Sequence, residues 1–526
     1  SFFATRGLSL GKGLGELRDT QLAALEWGRR STKPYLLINA PTGSGKTLLL
    51  GALGCTLGQS WTYATNTIRL QEQVTDTFPG LPVATGRANH PCLIGAETHK
   101  RDVTAAEGIC TALEWCEYSG WPATKDWQLD KLAATGGRLC DYYETRNRAL
   151  ASHWRTANYA YVLADYHTFI ESGKTEVMLC DEAHSIDDAV ARAGELVLSL
   201  PMYRRCGLPI PNTTNVARLV AWAKSRLWSV QPSVARRTAP DMAQVTIRQQ
   251  LESVRAIVRP DDWIVEKDKY TITLRPIWGR SLTPRILLGA ESINAPRRGV
   301  FASATLVGAE YYAHRLGLPE GSWDYLELSH TCAPEKRPIN FAPVMAMNAA
   351  TTEDPVARAR MQTAIDQLIE WYMMRGSRAG LVHAVSNRYR DYMLTESRYR
   401  GMMVSDPDEH ALRVRNKEAS VLVAANLLEG WDGVGDLCRF TILPKVPFGY
   451  LGDRRTALQK EADPQSYDYQ ALIAVIQGAG RGVRTEEDYC DTWILDTNWE
   501  SLQRRRKSWL PQWFMDAYKH RVKLPD

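Results

Sequence analysis

Ala40-Pro41-Thr42-Gly43-Ser44-Gly45-Lys46-Thr47 is the stretch from which the rest of this chain can be read. It ends in G-x-G-K-T, the core of a phosphate-binding loop, with Ala40 where the full pattern has Gly. Upstream, after Pro34, Tyr35-Leu36-Leu37-Ile38-Asn39 is an apolar run fit for a buried strand. Downstream, Leu48 to Leu57 is largely apolar and suits a helix. Strand, glycine loop and helix form the context that the motif requires. Across Thr42, Gly43, Ser44 and Gly45 the two glycines let the backbone curl until its N–H groups face a phosphate. Lys46 is placed to reach the β- and γ-phosphates of a nucleotide, and the Thr47 hydroxyl to ligate Mg²⁺. The helix N-terminus adds a partial positive charge.

The 526 residues exceed one ordinary core and predict three or four domains. A composition of 44% hydrophobic and 23% charged residues describes a soluble globular protein. No apolar run spans a bilayer and nothing at the start resembles a signal peptide, so no membrane partner is expected. The expected location is cytoplasmic, in a bacterial or virus-infected cell, or nuclear, and not secreted. A net charge of +5 permits a nucleic-acid partner without arguing for one. Four of the ten cysteines, Cys92, Cys110, Cys116 and Cys140, crowd together, whereas Cys55, Cys180 and Cys438 sit singly in apolar runs and read as core. Clustered cysteines in a reducing compartment favour a metal over disulfides.

Before the loop, Leu17-Arg18-Asp19-Thr20-Gln21 starts a helix, and the Gln21 amide offers the donor and acceptor that an adenine edge would use. After the loop, Trp61-Thr62-Tyr63-Ala64-Thr65 reads as a strand. The cysteine spacing is C-x17-C-x5-C-x23-C, without the tight C-x2-C pairs of zinc ribbons. Four thiolates so spaced suit a [4Fe–4S] cluster. A zinc site completed by His90 or His99, or unliganded thiols, remain open on spacing alone. Trp115, Trp121, Trp127, Tyr142 and Tyr143 alternate with Lys125, Lys131, Arg138, Arg146 and Arg148, a mixture that can stack bases, hold phosphates or pack a small domain. Thr175 to Cys180 is a strand ending in Asp181-Glu182-Ala183-His184. Asp181 at such a strand tip can hold Mg²⁺, and Glu182 can position or deprotonate the attacking water. His184 is placed to relay between two sites. Residues 195–285 carry prolines, arginines and helical segments but no nucleotide motif, and read as an insertion. Ser303-Ala304-Thr305 closes a further strand. From about residue 335 strands and helices alternate again, which predicts a second parallel sheet. Near its end stand Gln477, Arg481 and Arg484. The two arginines are three apart and share a face if the preceding helix continues. They can stabilise the charge developing on a transferring phosphoryl group. The second sheet has no phosphate loop of its own, as befits a domain completing the site of the first.

In order, the signals are G-S-G-K-T, four cysteines, D-E-A-H, an insertion, S-A-T, E-G-x-D around Gly430 and Asp432, and Q-x-x-G-R-x-x-R. This order resembles the iron–sulphur helicases of superfamily two, the XPD/DinG type, over nearly the whole chain. Gly86-Arg87-Ala88-Asn89 before Cys92, Lys336-Arg337-Pro338 and Pro447-Phe448-Gly449 add to the likeness. The resemblance implies an α/β chain with two RecA-like parallel-sheet motor domains. An iron–sulphur domain and a mainly helical, arch-like domain would be inserted in the first of them. By position the first motor would take 1–86, 149–194 and 286–335, the last with a linker. The iron–sulphur domain would take 87–148, the arch 195–285 and the second motor 336–526. The resemblance also implies an ATP-dependent DNA helicase, with ATP and Mg²⁺, working as a monomer in DNA repair or replication. Such proteins move 5′→3′ on single-stranded DNA and unwind forked duplexes. Gln21 would contact adenine, while Thr42, Gly43, Ser44, Gly45, Lys46 and Thr47 would hold the phosphates. Lys46, Asp181, Glu182, Gln477, Arg481 and Arg484 would carry hydrolysis, with Thr47 and Asp181 on magnesium. Asp432, with Gly430, would couple nucleotide state to DNA grip, and Cys92, Cys110, Cys116 and Cys140 would ligate the cluster. Trp431 departs from the smaller aliphatic residue expected there, and the insertion is compact for an arch. Two rival readings share the motor motifs: a translocase that remodels protein–DNA complexes without unwinding, and a redox-responsive DNA-binding ATPase switch.

Overall fold

The computed structural model describes the chain except residues 1, 13, 95–102, 108–115, 117, 119–135, 137, 167–174, 231–238, 290, 291, 293, 426–430, 432 and 434. Among the described residues no helix is long and apolar enough to cross a membrane.

The first sheet begins with β1 (Tyr35–Asn39), β2 (Trp61–Thr65), β3 (Val83–Ala84), β4 (Trp154–Asn158) and β5 (Val177–Asp181). The chain then leaves it for a small antiparallel sheet of β6 (Leu196–Ser199), β7 (Trp263–Lys267) and β8 (Thr271–Pro276). It returns with β9 (Arg298–Ser303) and β10 (Trp323–Glu327). The first sheet is parallel throughout and ordered β10-β1-β9-β5-β2-β4-β3. β2 and β5 are buried at every position, so both faces must be covered, and helices cover them.

The second sheet holds β11 (Ile339–Met345), β12 (Ala379–His383), β13 (Met403–Val404), β14 (Ser420–Ala424), β15 (Phe440–Leu443), β16 (Asp491–Asp496) and β17 (Tyr518–Lys519). Its order is β13-β14-β12-β15-β16-β11-β17, again all parallel. Two seven-stranded parallel sheets are the α/β architecture that the alternating pattern predicts. In the insertion, the helices Val216–Arg226 and Ala239–Arg255 bury Leu219, Ala223, Ile247 and Leu251 with Leu198, Ile272 and Leu274 of the small sheet. The inserted body is thus helical, with a three-stranded sheet at its base.

Where β1 ends, the chain turns through Gly43 and Gly45, both at positive φ, into the helix Lys46–Leu57. This places the loop at the carboxyl edge of the first sheet, where open α/β sheets put their ligands. The second domain faces that edge with the end of its helix Pro464–Ala479 and the loop that follows.

Candidate nucleotide site

Lys46 is the centre of the site. Its Nζ lies 2.7 Å from Glu182 Oε1 and 3.7 Å from Asp181 Oδ1. Burial opposes the ammonium charge, yet Glu182 and Asp181 outweigh it and hold the Lys46 pKa above the usual lysine value. Burial likewise opposes charge on Glu182, but Lys46 and His184 keep its pKa well below the carboxylate range. Asp181 moves the other way: burial, helped by the Glu182 charge, raises its pKa against the pull of Lys46. Glu182 is thus the acid held ionised, and Asp181 the one whose charge burial disfavours.

Backbone geometry fixes these groups. Glu182 sits at φ 48, a left-handed conformation that costs a non-glycine residue of order 1 kcal/mol and turns the chain sharply off β5. Asp181 Oδ1 accepts the Glu182 N–H at 2.8 Å, and Oδ2 accepts the Tyr63 hydroxyl at 2.9 Å. The Tyr159 hydroxyl donates to the Asp181 carbonyl at 2.6 Å. His184 joins three parts: its Nδ1 stands 2.9 Å from Ser303 Oγ and 3.3 Å from Glu182 Oε2, and its Nε2 stands 2.6 Å from Gln477 Nε2. With the Gln477 amide as donor, Nε2 accepts, and the proton sits on Nδ1 facing Glu182 and Ser303. Ser303 Oγ also accepts the Thr305 N–H at 3.1 Å, so D-E-A-H, S-A-T and Gln477 form one hydrogen-bonded chain.

The second domain closes on the loop directly. Thr42 Oγ1 donates to the carbonyls of Gly480 and Val483, both at 3.3 Å. A Cβ on Gly43 would come within 2.2 Å of the Arg484 carbonyl oxygen, so only glycine allows this approach. A cavity of about 340 Å³ lies between the domains, walled by Lys46, Thr47, Asp181 and Glu182 on one side and Gln477, Arg481 and Arg484 on the other. Burial lowers the pKa of Arg484, with Glu182 and Asp488 opposing. The arginines do not share a helix face: the helix stops at Ala479, and Arg481 and Arg484 stand on the loop after it. Gly480 and Gly482 are poor helix formers, and a Cβ at Gly482 would meet Cys490 Sγ at 2.2 Å, which holds the loop against the sheet instead.

Gln21 is buried. Its Nε2 donates to the carbonyls of Ser44 at 3.0 Å and Gly45 at 3.2 Å, and its Oε1 accepts the Arg18 N–H at 2.9 Å. The amide braces the phosphate loop, and a contact to adenine requires exchanging one of these bonds. Asp432 and Gly430 lie outside the described residues. Trp431 is buried with Cys438, Cys490, Leu381 and Leu422, and its carbonyl accepts from Arg481 Nη1 at 3.4 Å. Cys438 is not solitary, since its sulphur lies 4.0 Å from that of Cys490. In the tail run Arg504–Lys507, Arg505 and Arg506 pair with Asp468. Tyr63, Asp488 and the Thr42 contacts escaped sequence reading because nothing near them in the chain marks their partners.

In the cysteine region, Cys92, Cys116 and Cys140 are buried and line one small cavity with Ala105 and Tyr118. Cys110, His99, Trp115, Lys125 and their neighbours lie outside the described residues. His90 is not in that lining: its ring binds Thr85 Oγ1 at 2.7 Å and the Asp141 carboxylate. Three thiols lining one cavity, with the imidazole turned elsewhere, are soft donors of the type that an iron–sulphur cluster takes. Among the described residues no group of three or more His, Cys, Asp or Glu side chains stands close enough together to hold a metal ion.

Residues 366–517 match the family model of the helicase C-terminal domain. No curated protein matches the chain in sequence. Among solved structures, an XPD helicase is 16% identical with a TM-score of 0.59, over 94% of this chain and 98% of that one. An apo XPD structure is 15% identical, with a TM-score of 0.52 over 93% and 98%. Xpd4 of S. tokodaii is 14% identical, with a TM-score of 0.50 over 93% and 97%. The two sheets and the cavity between them thus have the fold of the XPD helicase structures, and residues 366–517 match a helicase C-terminal domain.

Proposed function

We propose that the chain is an ATP-hydrolysing DNA helicase that moves 5′→3′ along single-stranded DNA and opens forked duplexes. The observation that carries this reading is the cavity between the domains, with hydrolytic acids on one wall and two arginines on the other. In the present arrangement Lys46 is the counter-charge of Glu182 and Asp181. A γ-phosphate entering the cavity competes for that ammonium. As Lys46 turns to the phosphate, Glu182 loses its strongest partner and becomes basic enough to take a proton from water. The His184 Nδ1–H then keeps Glu182 aligned. Arg481 and Arg484 meet the charge developing on the phosphoryl oxygens. Their loop already rests on Thr42 and Gly43, so ATP favours the closed cleft and loss of the γ-phosphate frees it to open. The chain Gln477–His184–Ser303 links the second domain to the carboxyl ends of β5 and β9 and would pass the change between the domains.

A hydroxyl and a carboxylate beside a lysine-neutralised acid pair suit Mg²⁺, so Thr47 and Asp181 would hold it, and it would neutralise phosphate charge. Cys92, Cys110, Cys116 and Cys140 would hold a [4Fe–4S] cluster, whose contribution is to order a small domain.

The test is Lys46→Ala. It is expected to abolish DNA-stimulated ATP turnover while the melting profile stays that of a folded protein; persisting turnover would remove this site assignment. Duplexes with 5′ tails, 3′ tails or RNA strands then decide polarity and substrate. Turnover without strand separation on every duplex points to the remodelling translocase instead.

A further inference from the structure

Tyr63 lies in the middle of β2 with none of its surface exposed. Its register partner on β5 is Leu179, two residues before Asp181, so a long side chain leaning along the strand reaches the strand tip. Its hydroxyl donates to Asp181 Oδ2 at 2.9 Å, while Oδ1 is held by the Glu182 N–H. A carboxylate gripped at both oxygens cannot rotate. One buried hydroxyl therefore fixes an oxygen of the carboxylate that would meet Mg²⁺, and the motif reading gave it no part.

We propose that Tyr63 is a positioning residue for magnesium, its hydroxyl holding the Asp181 carboxylate in the orientation that the ion requires. This rests on the nucleotide reading above. The competing account, a buried phenol that merely satisfies itself on the nearest acceptor, predicts lost stability without any effect on Mg²⁺. Partners of metal-binding carboxylates behave otherwise, since removing them typically weakens metal affinity about ten- to a hundredfold.

The experiment follows binding of a fluorescent ATP analogue over a series of Mg²⁺ concentrations. In Tyr63→Phe, half-saturation by Mg²⁺ is expected to rise about tenfold, with metal-free nucleotide affinity unchanged. The control is Tyr372→Phe in the second domain, which removes a phenol–carboxylate bond, from Tyr372 to Asp491 Oδ2 at 2.5 Å, and with it the bond that the same hydroxyl accepts from Trp493 at 2.8 Å. It is expected to keep the wild-type Mg²⁺ dependence. An unchanged Mg²⁺ dependence in Tyr63→Phe, or an equal shift in both variants, overturns the proposal. Should Tyr63→Phe fail to fold, 3-fluorotyrosine at position 63 keeps both ring and hydroxyl. Its fluorine resonance is expected to move when Mg²⁺ joins the nucleotide, and a resonance indifferent to Mg²⁺ overturns the proposal. Wild-type protein with no Mg²⁺-dependent nucleotide binding at all removes the nucleotide reading itself, an outcome distinct from failure of Tyr63 alone.

Discussion

His383 ends β12 beneath the helix Pro464–Ala479 and is 4% exposed, with no hydrogen-bond partner on Nε2 among the described residues. Burial, followed by the charge of Arg481, pushes its pKa from 6.5 down to about 3. Between those two values the unfolded chain binds a proton that the folded chain refuses. Stability therefore rises with pH across the window and is lost as pH falls through it, by up to about 1.4 kcal/mol per pH unit for each such group. His330 is pushed to about 3 by burial and by Arg337, with the same sign. The urea midpoint is expected to drop steadily from pH 7 to pH 5, and His383→Gln to remove a good part of that slope. A slope identical in the variant would show that His383 is not the group responsible. This histidine also marks where sequence reading stops. Lys46, Glu182 and Arg484 could be singled out because a phosphate site would demand those residue types in a fixed order, and the structure brings all three to one cavity. His383 and Tyr63 take their roles from neighbouring strands, and the residues beside them in the chain say nothing of those strands.

The loop after Ala479 shows the same limit one level up. A helix over Tyr467 to Ile476 was expected and lies within the helix Pro464–Ala479, but its end was not legible, and Arg481 and Arg484 would have shared a face only had it continued. The structure holds them by a different device: Asp488 Oδ2 accepts the N–H of Arg484 at 2.9 Å and that of Thr485 at 3.0 Å. Asp488 is buried, so its removal leaves two N–H groups without their acceptor, at about 1–3 kcal/mol for each left unsatisfied. Asp488→Ala is expected to lower nucleotide affinity about tenfold, equivalent to about 1.4 kcal/mol, with helix content unchanged by circular dichroism. Asp488→Asn keeps an acceptor oxygen and is expected to recover most of the affinity. Equal affinities in all three proteins would mean that the loop holds Arg484 without Asp488. The sheets themselves were legible for the opposite reason. Fully buried runs such as Val177–Asp181 and Ser420–Ala424 can only be strands covered on both faces, whatever lies around them.

At the scale of the molecule, the second domain touches more than the nucleotide loop. Its helix Arg454–Ala462 lies against the helix Ile186–Ala193, directly behind D-E-A-H, and against the base of the insertion. Arg455 binds Asp188 Oδ1 at 2.7 Å, lies 3.5 Å from Asp187 Oδ2, and donates from Nε to the Ile277 carbonyl at 3.0 Å. Gln459 donates to that carbonyl at 2.6 Å, and Arg454 to the Val265 carbonyl at 3.1 Å. The planar guanidinium of Arg455 thus joins three bodies, the first parallel-sheet domain, the insertion and the second parallel-sheet domain, and a point-charge lysine cannot reproduce its fork. None of this was legible, because the partners lie hundreds of positions apart and no periodicity links them. Loss of Arg455 does not orphan Asp187, which keeps its buried pair with Arg315. The cost is therefore set below the 3–5 kcal/mol of an uncompensated buried charge, at about 1–2 kcal/mol. For a protein of this size that lowers the melting temperature by only a few degrees, about 2–4 °C per kcal/mol at the most. The docking of the insertion is what suffers. Arg455→Ala is expected to speed tryptic cleavage within residues 195–285 severalfold, and Arg455→Lys to behave like the alanine variant rather than the wild type. A wild-type cleavage rate in Arg455→Ala would show that the insertion is held by its own core and linkers and not by the second domain.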